Sequence, residues 1–113
     1  MLAPTILNPL EHARFNHEKM SKVTLFESPR VLVGLNCFEP GQEHALHTHA
    51  GMDKIYHVLS GRGEFLQEHG ATPMRPGAML AAAADVPHGI RNSGDERLVV
   101  LAFLTPAPKA KGH

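Results

Sequence analysis

Turn signals recur roughly every eight to twelve residues along this chain, and that rhythm is what most restricts its fold. Ser28-Pro29, Pro40-Gly41, Ser60-Gly61-Arg62-Gly63, His69-Gly70, Pro76-Gly77 and Asn92-Ser93-Gly94-Asp95 punctuate short runs of apolar and β-branched residues. Helices need about ten or more uninterrupted residues, whereas strands need only about four to eight. The intervals therefore suit strands. Val23–Phe26, Val31–Phe38, Ile55–Leu59, Gly63–Gln67, Ala78–Ala83, Gly89–Arg91 and Arg97–Leu104 read as such, with a further strand after Pro40-Gly41. Together they predict an all-β sandwich or barrel. The one helix expected is short, over Leu10–Met20.

A chain of 113 residues is enough for one domain with one core. The reading places an N-terminal arm at 1–22, the β-domain at 23–105 and a Pro- and Lys-rich tail at 106–113 with too little apolar surface to pack. Eleven basic residues balance eleven acidic ones, so no cationic excess is available to neutralise nucleic-acid phosphates. No apolar run approaches the ~18 residues of a membrane helix. The first residues, Met1 to Leu7, lack the basic and long apolar regions of a secretory signal. Cys37 has no second cysteine to pair with and lies in an apolar run, which predicts a small core residue and a cytoplasmic location. No nucleic-acid or membrane partner is expected.

Nine histidines are unevenly placed. Alternation in a strand puts both rings of His47-Thr48-His49 on one face. His88 stands far downstream in Val86-Pro87-His88-Gly89. Three imidazoles in one cavity would repel when protonated and leave lone pairs unpaired when neutral. One divalent transition metal (Fe, Mn, Ni, Zn or Cu) removes both problems. His44 has the opposite parity in an unbroken strand and falls outside this set. His12, His17, His69 and His113 fall in loops, turns or termini and read as solvated.

These residues sit in two spaced motifs. Gly41, His47, His49 and Gly61 form the first, and Gly77, His88 and Asn92 the second. In this the chain resembles the cupin superfamily, over about residues 31 to 104. The resemblance implies a single-domain cupin, a double-stranded β-helix or jelly-roll-type antiparallel barrel, with a metal held by His47, His49 and His88. There are departures. The slot of the usual glutamate ligand holds Lys54, and the proline and glycine slots of the second motif hold Ala83 and Asp85. Asn92 reads as a turn residue tying down its own backbone.

Alternation along the strand after Gly51 puts Lys54, Tyr56 and Val58 inward, and Ile55, His57 and Leu59 outward. Small single-domain cupins resemble dimers paired through such an outer face, so a homodimer is expected. A lysine ammonium ~4 Å from a divalent ion would cost roughly 8 kcal/mol at an effective dielectric near 20. The amine must swing away, lose its charge, or face no metal; alternatively Asp53, or Glu43, takes the glutamate's role. Lys54 and Tyr56 are the expected substrate-binding residues. Two functions fit: a metal-dependent enzyme of oxygenase or isomerase type acting on a small, anionic organic molecule, or a non-catalytic module that binds a small ligand. Whether the chain catalyses anything is left open by the sequence.

Overall fold

The computed structural model describes residues 3–109, and it is all-β apart from one 3-10 turn, Pro9–His12. Nine strands follow: β1 Ser21–Glu27, β2 Leu32–Phe38, β3 Glu43–His47, β4 Asp53–Ser60, β5 Gly63–Gln67, β6 Gly70–Met74, β7 Met79–Ala82, β8 His88–Arg91 and β9 Leu98–Thr105. They form two antiparallel sheets, ordered β1-β2-β9-β4-β7 and β3-β8-β5-β6. The double-stranded β-helix expected from the turn rhythm and the two motifs is what the chain adopts. Among the described residues no helix is long and apolar enough to cross a membrane.

The inner sheet faces meet over Phe38, Tyr56, Val58, Phe65, Met74, Ile90, Leu98, Val100 and Ala102. Removing such side chains from water contributes about 1.5–3 kcal/mol each, before the opposing loss of chain entropy. β4 follows its alternation: Lys54, Tyr56 and Val58 are buried, while Ile55, His57 and Leu59 are half-buried. β2 is covered on both faces. Its outward Leu35 and Cys37 pack with Val99 beneath Ala13 and Phe15 of the N-terminal segment.

That segment corrects the expected helix over Leu10–Met20, since only Pro9–His12 makes a helical turn. Ala13 and Phe15 are two residues apart, a spacing that puts both on one side of an extended chain lying on the sheet. Tertiary contact here outweighs a weak helical tendency. β6 is not among the strands the sequence predicts, because Gly70-Ala71-Thr72-Pro73-Met74 carries a turn glycine and a proline. It is an edge strand closed by a two-residue turn between Gln67 and Gly70, a place where a strand proline is tolerated. Of the predicted tail, residues 106–109 carry no strand or helix, and 110–113 lie outside the described residues.

Gly61 closes the first motif at φ +88°, and a Cβ there would come within 2.3 Å of the Arg97 carbonyl oxygen. Positive φ and close backbone approach both require glycine. Gly61→Ala is expected to cost about 2–3 kcal/mol, the upper part of the range for a strained backbone position. An unchanged denaturant midpoint would show that the β4–β5 corner can relax around a side chain.

Candidate metal centre

β3 and β8 are antiparallel neighbours whose register puts His47 directly opposite His88. β3 ends there, so His49 lies in the following loop rather than on the strand. The loop is pinned: the His49 carbonyl oxygen accepts the Asp85 N–H at 3.1 Å. Asp85, in the second motif's glycine slot, adopts φ 70°, a left-handed conformation that aspartate tolerates better than most residues. The result brings one imidazole nitrogen from each of His47, His49 and His88 within 4.8 Å of the others.

Local hydrogen bonds set two of the tautomers. His47 Nδ1–H donates to the Ala45 carbonyl at 2.6 Å, and His88 Nδ1–H to the Val86 carbonyl at 2.9 Å. Each bond leaves Nε2 with its lone pair exposed toward the cluster, as in backbone-oriented metal ligands. His88 Nε2 is buried without a hydrogen-bond partner. The Nε2 atoms of His47 and His49 are 3.1 Å apart. Two nitrogens each about 2.0–2.1 Å from one ion are separated by about 3 Å when they are adjacent ligands. The donor set therefore fits a transition metal, and the three histidines could hold one.

His44 departs from the expected pattern. Between the pairs His44↔Ile90 and His47↔His88, β3 advances three residues while β8 advances two. This bulge cancels the parity difference and brings His44 beside His47, with ring centroids 4.1 Å apart and stacked. Opposite the bulge, a Cβ on Gly89 would lie 2.7 Å from the His44 carbonyl oxygen, so the backbones approach too closely for a side chain. A glycine inside a strand is the only sequence hint of this irregularity. His44 Nδ1 is buried and unpartnered. Of the other histidines, His17 and His69 are exposed, His12 and His57 are half-buried, and His113 lies outside the described residues.

The carboxylate alternatives lie elsewhere. Glu43 is exposed and sits 3.7 Å from Arg91, and the Asp53 carboxylate accepts the Ala84 N–H at 2.9 Å on the outer side of β4. Lys54 takes the inward position, 1% exposed, with its ammonium 5.0 Å from the Tyr56 ring centroid. No carboxylate among the described residues lies within 4.0 Å of it. Burial, assisted by the charge of Lys22, lowers its pKa to about 8. Burial also pushes the Tyr56 phenol up. Its hydroxyl has no partner, and its ring lies 5.8 Å from that of His88. The four clustered histidines are biased toward the neutral form. Burial takes His44 down to about 3, helped by His47, Lys22 and Lys54, and takes His49 down to about 4, helped chiefly by Lys54. His47 and His88 are lowered by burial too, against the opposing pull of their carbonyl partners. Asn92 is fully buried, donating to the Phe38 and Glu96 carbonyls and accepting the Gly94 N–H.

Comparison with known proteins identifies the family and the fold. The cupin domain family matches residues 34–104. The crystal structure of TT1209 from Thermus thermophilus is 35% identical with a TM-score of 0.87, covering 91% of this chain and 98% of that one. A conserved protein with a double-stranded β-helix domain from Klebsiella pneumoniae is 25% identical, TM-score 0.88, with 96% and 95% covered. Polyketide synthase CurC of Streptomyces cyaneus is 32% identical over 83 residues, 72% of this chain. The chain spans about half, 54%, of that relative's length.

The lowered histidines predict an acid-sensitive fold once metal is stripped by chelation. Above the unfolded value of 6.5, His44 and His49 are neutral in both states and cost nothing. Below it the unfolded chain takes up protons that the folded chain refuses until about pH 3–4, so stability falls with pH across that window. Thermal melting between pH 7 and 4.5 should drop in the wild type and drop less steeply in His44→Gln. Equal slopes would mean that His44 is not held neutral by the fold.

Proposed function

The chain belongs to the cupin domain family, and from that premise we propose that it is a metal-dependent enzyme of oxygenase or isomerase type. Its substrate is a small organic molecule bound inside the barrel. The observation that carries this reading is the convergence of three neutral imidazoles, two of them with tautomers fixed by backbone carbonyls. His47, His49 and His88 would hold one divalent transition metal, drawn from Fe, Mn, Ni, Zn and Cu, which suit imidazole. Bound there, it would supply Lewis acidity or redox chemistry with coordination positions left for other ligands. Tyr56 and Lys54 contribute a hydroxyl and a positive charge to the interior and are the proposed substrate-binding residues. The likeness to a protein named polyketide synthase CurC adds support for an organic ligand.

One observation favours a non-catalytic ligand-binding module instead. The carboxylate alternatives, Glu43 and Asp53, are exposed and engaged elsewhere, so neither is at hand as a general base. Under that reading the metal anchors a ligand without turnover.

The proposed protein is a cytoplasmic homodimer. The outer face of the five-stranded sheet carries half-buried Ile55, His57, Leu59 and Leu101, with Met79 61% exposed. Covering that face with a second copy removes apolar surface from water.

Purified protein is expected to carry one transition-metal ion per chain by elemental analysis. The double variant His47→Ala, His49→Ala should fall to background while its far-UV circular dichroism stays that of a β-protein. Metal retained in that variant would reject the ligand assignment. Light scattering at tens of micromolar should give twice the chain mass; a monomer would reject the interface.

A further inference from the structure

Two buried donors on the inner face of the five-stranded sheet have no acceptor, and a buried lysine beside them has no carboxylate partner among the described residues. Asn36 on β2 is 2% exposed and its Nδ2 lacks a partner. Lys54 on β4 is 1% exposed with no carboxylate within 4.0 Å among the described residues. Tyr56, two residues along the same face, is fully buried and its hydroxyl is also unpartnered. Asn36 and Lys54 line a common cavity of about 10 Å³, walled by Leu32, Gly34, Ala102 and Leu104. That is about the room one water-sized oxygen needs. Gly34 and Ala102 pair with each other between these donors, and the absence of larger side chains there keeps the space open.

Buried donors are nearly always hydrogen-bonded, so two unpartnered ones beside an ammonium without a counter-ion point to an acceptor that the chain does not supply. The acceptor's charge follows from the surroundings. Lys22 and Lys54 both bear on the histidine cluster, and among the described residues no acidic side chain offsets them there. An ammonium buried this far is stabilised by an anion beside it. We propose that Lys54, Asn36 and Tyr56 form an oxyanion pocket that receives the carboxylate of the barrel's ligand, one oxygen entering the cavity between Lys54 and Asn36. The ligand is thus a carboxylic acid in its ionised form, gripped at its acid end by β2 and β4 while the rest extends toward His88. This rests on reading the barrel interior as a ligand site, and it adds Asn36 as a specificity-determining residue.

The chain provides its own reporter. It contains one tyrosine and no tryptophan, so intrinsic fluorescence arises from Tyr56, whose ring lies 5.0 Å from the Lys54 ammonium. Acetate and its uncharged counterpart acetamide are titrated at constant ionic strength into chelated and metal-loaded protein, with metal content measured on the same samples. Acetate should change Tyr56 emission saturably in both forms, and acetamide should not. Asn36→Asp places a carboxylate in the pocket with almost no change of shape, and Lys54→Met removes the charge. Each is expected to weaken acetate by at least about tenfold, as loss of a buried charge partner does. Metal content and circular dichroism should stay at wild-type values. The pocket is overturned if acetamide acts as well as acetate, if the response survives in Lys54→Met, or if only metal-loaded protein responds. Full metal content with no acetate response rejects the pocket and leaves the metal site standing. An acetate response in protein that takes up no metal on loading rejects the metal site and supports the pocket.

Discussion

Two apolar sheet faces close over polar side chains in this barrel, and the rest of the structure depends on how those side chains are satisfied. Asn36, Lys54, Tyr56, His88 and Asn92 are all 2% exposed or less. Each unpaired buried polar group costs about 1–3 kcal/mol, a large share of what a domain of this size has in reserve. The five divide sharply. Asn92 spends both ends of its amide on backbone groups, stitching the β8–β9 turn to the end of β2. Asn36, Tyr56 and His88 each keep an unpartnered atom, and Lys54 keeps a charge without a counter-ion among the described residues. The satisfied residue holds the fold together. The unsatisfied ones face the interior from both sheets, Asn36, Lys54 and Tyr56 from one and His88 from the other, where a bound ligand or ion would complete them.

Much of this is legible in the amino-acid order alone. Turn residues and apolar runs specify the strands because a strand's period and length are local properties. β4 is the clearest case: three buried and three half-buried side chains alternate as its sequence does. What is not legible depends on partners distant in sequence. The β3 bulge is a property of its pairing with β8, and no residue in Glu43–His47 announces it. Strand parity therefore puts His44 on the wrong side, and His49 reaches the cluster from the loop after β3 rather than by alternation along a strand. The roles of Glu43 and Asp53 are undecidable from sequence for the same reason, since their partners, Arg91 and the Ala84 N–H, lie on other elements. The N-terminal segment is extended because Phe15 and Ala13 find a sheet face to cover. Nothing in its own composition requires that.

The lysine in the glutamate slot changes the electrostatic character of the interior. A carboxylate ligand there would offset part of a dication's charge and fill a coordination position. Lys54 does neither, and it adds a positive charge instead. Its cost is tempered by placement: the ammonium lies over the Tyr56 ring, within the ~6 Å reach of a cation–π contact. Its lowered pKa, about 8, also makes the charge cheaper to give up than that of an exposed lysine. These features ease the burial of the cation without neutralising it.

Charge balance then narrows what such a site can accept. With neutral imidazoles as ligands, a bound divalent ion would keep its full double charge, and a protonated Lys54 would add another. An uncharged ligand would leave that excess in a low-dielectric interior, where like charges interact far more strongly than in water. A cation would make it worse. A ligand with an ionised acid group at one end and an oxygen donor at the other offsets both centres at once, the acid end at Lys54 and Asn36 and the other end near His88. Under the proposed reading, that same excess would favour entry of one chemical class over the rest, through the lysine that takes the inward position on β4.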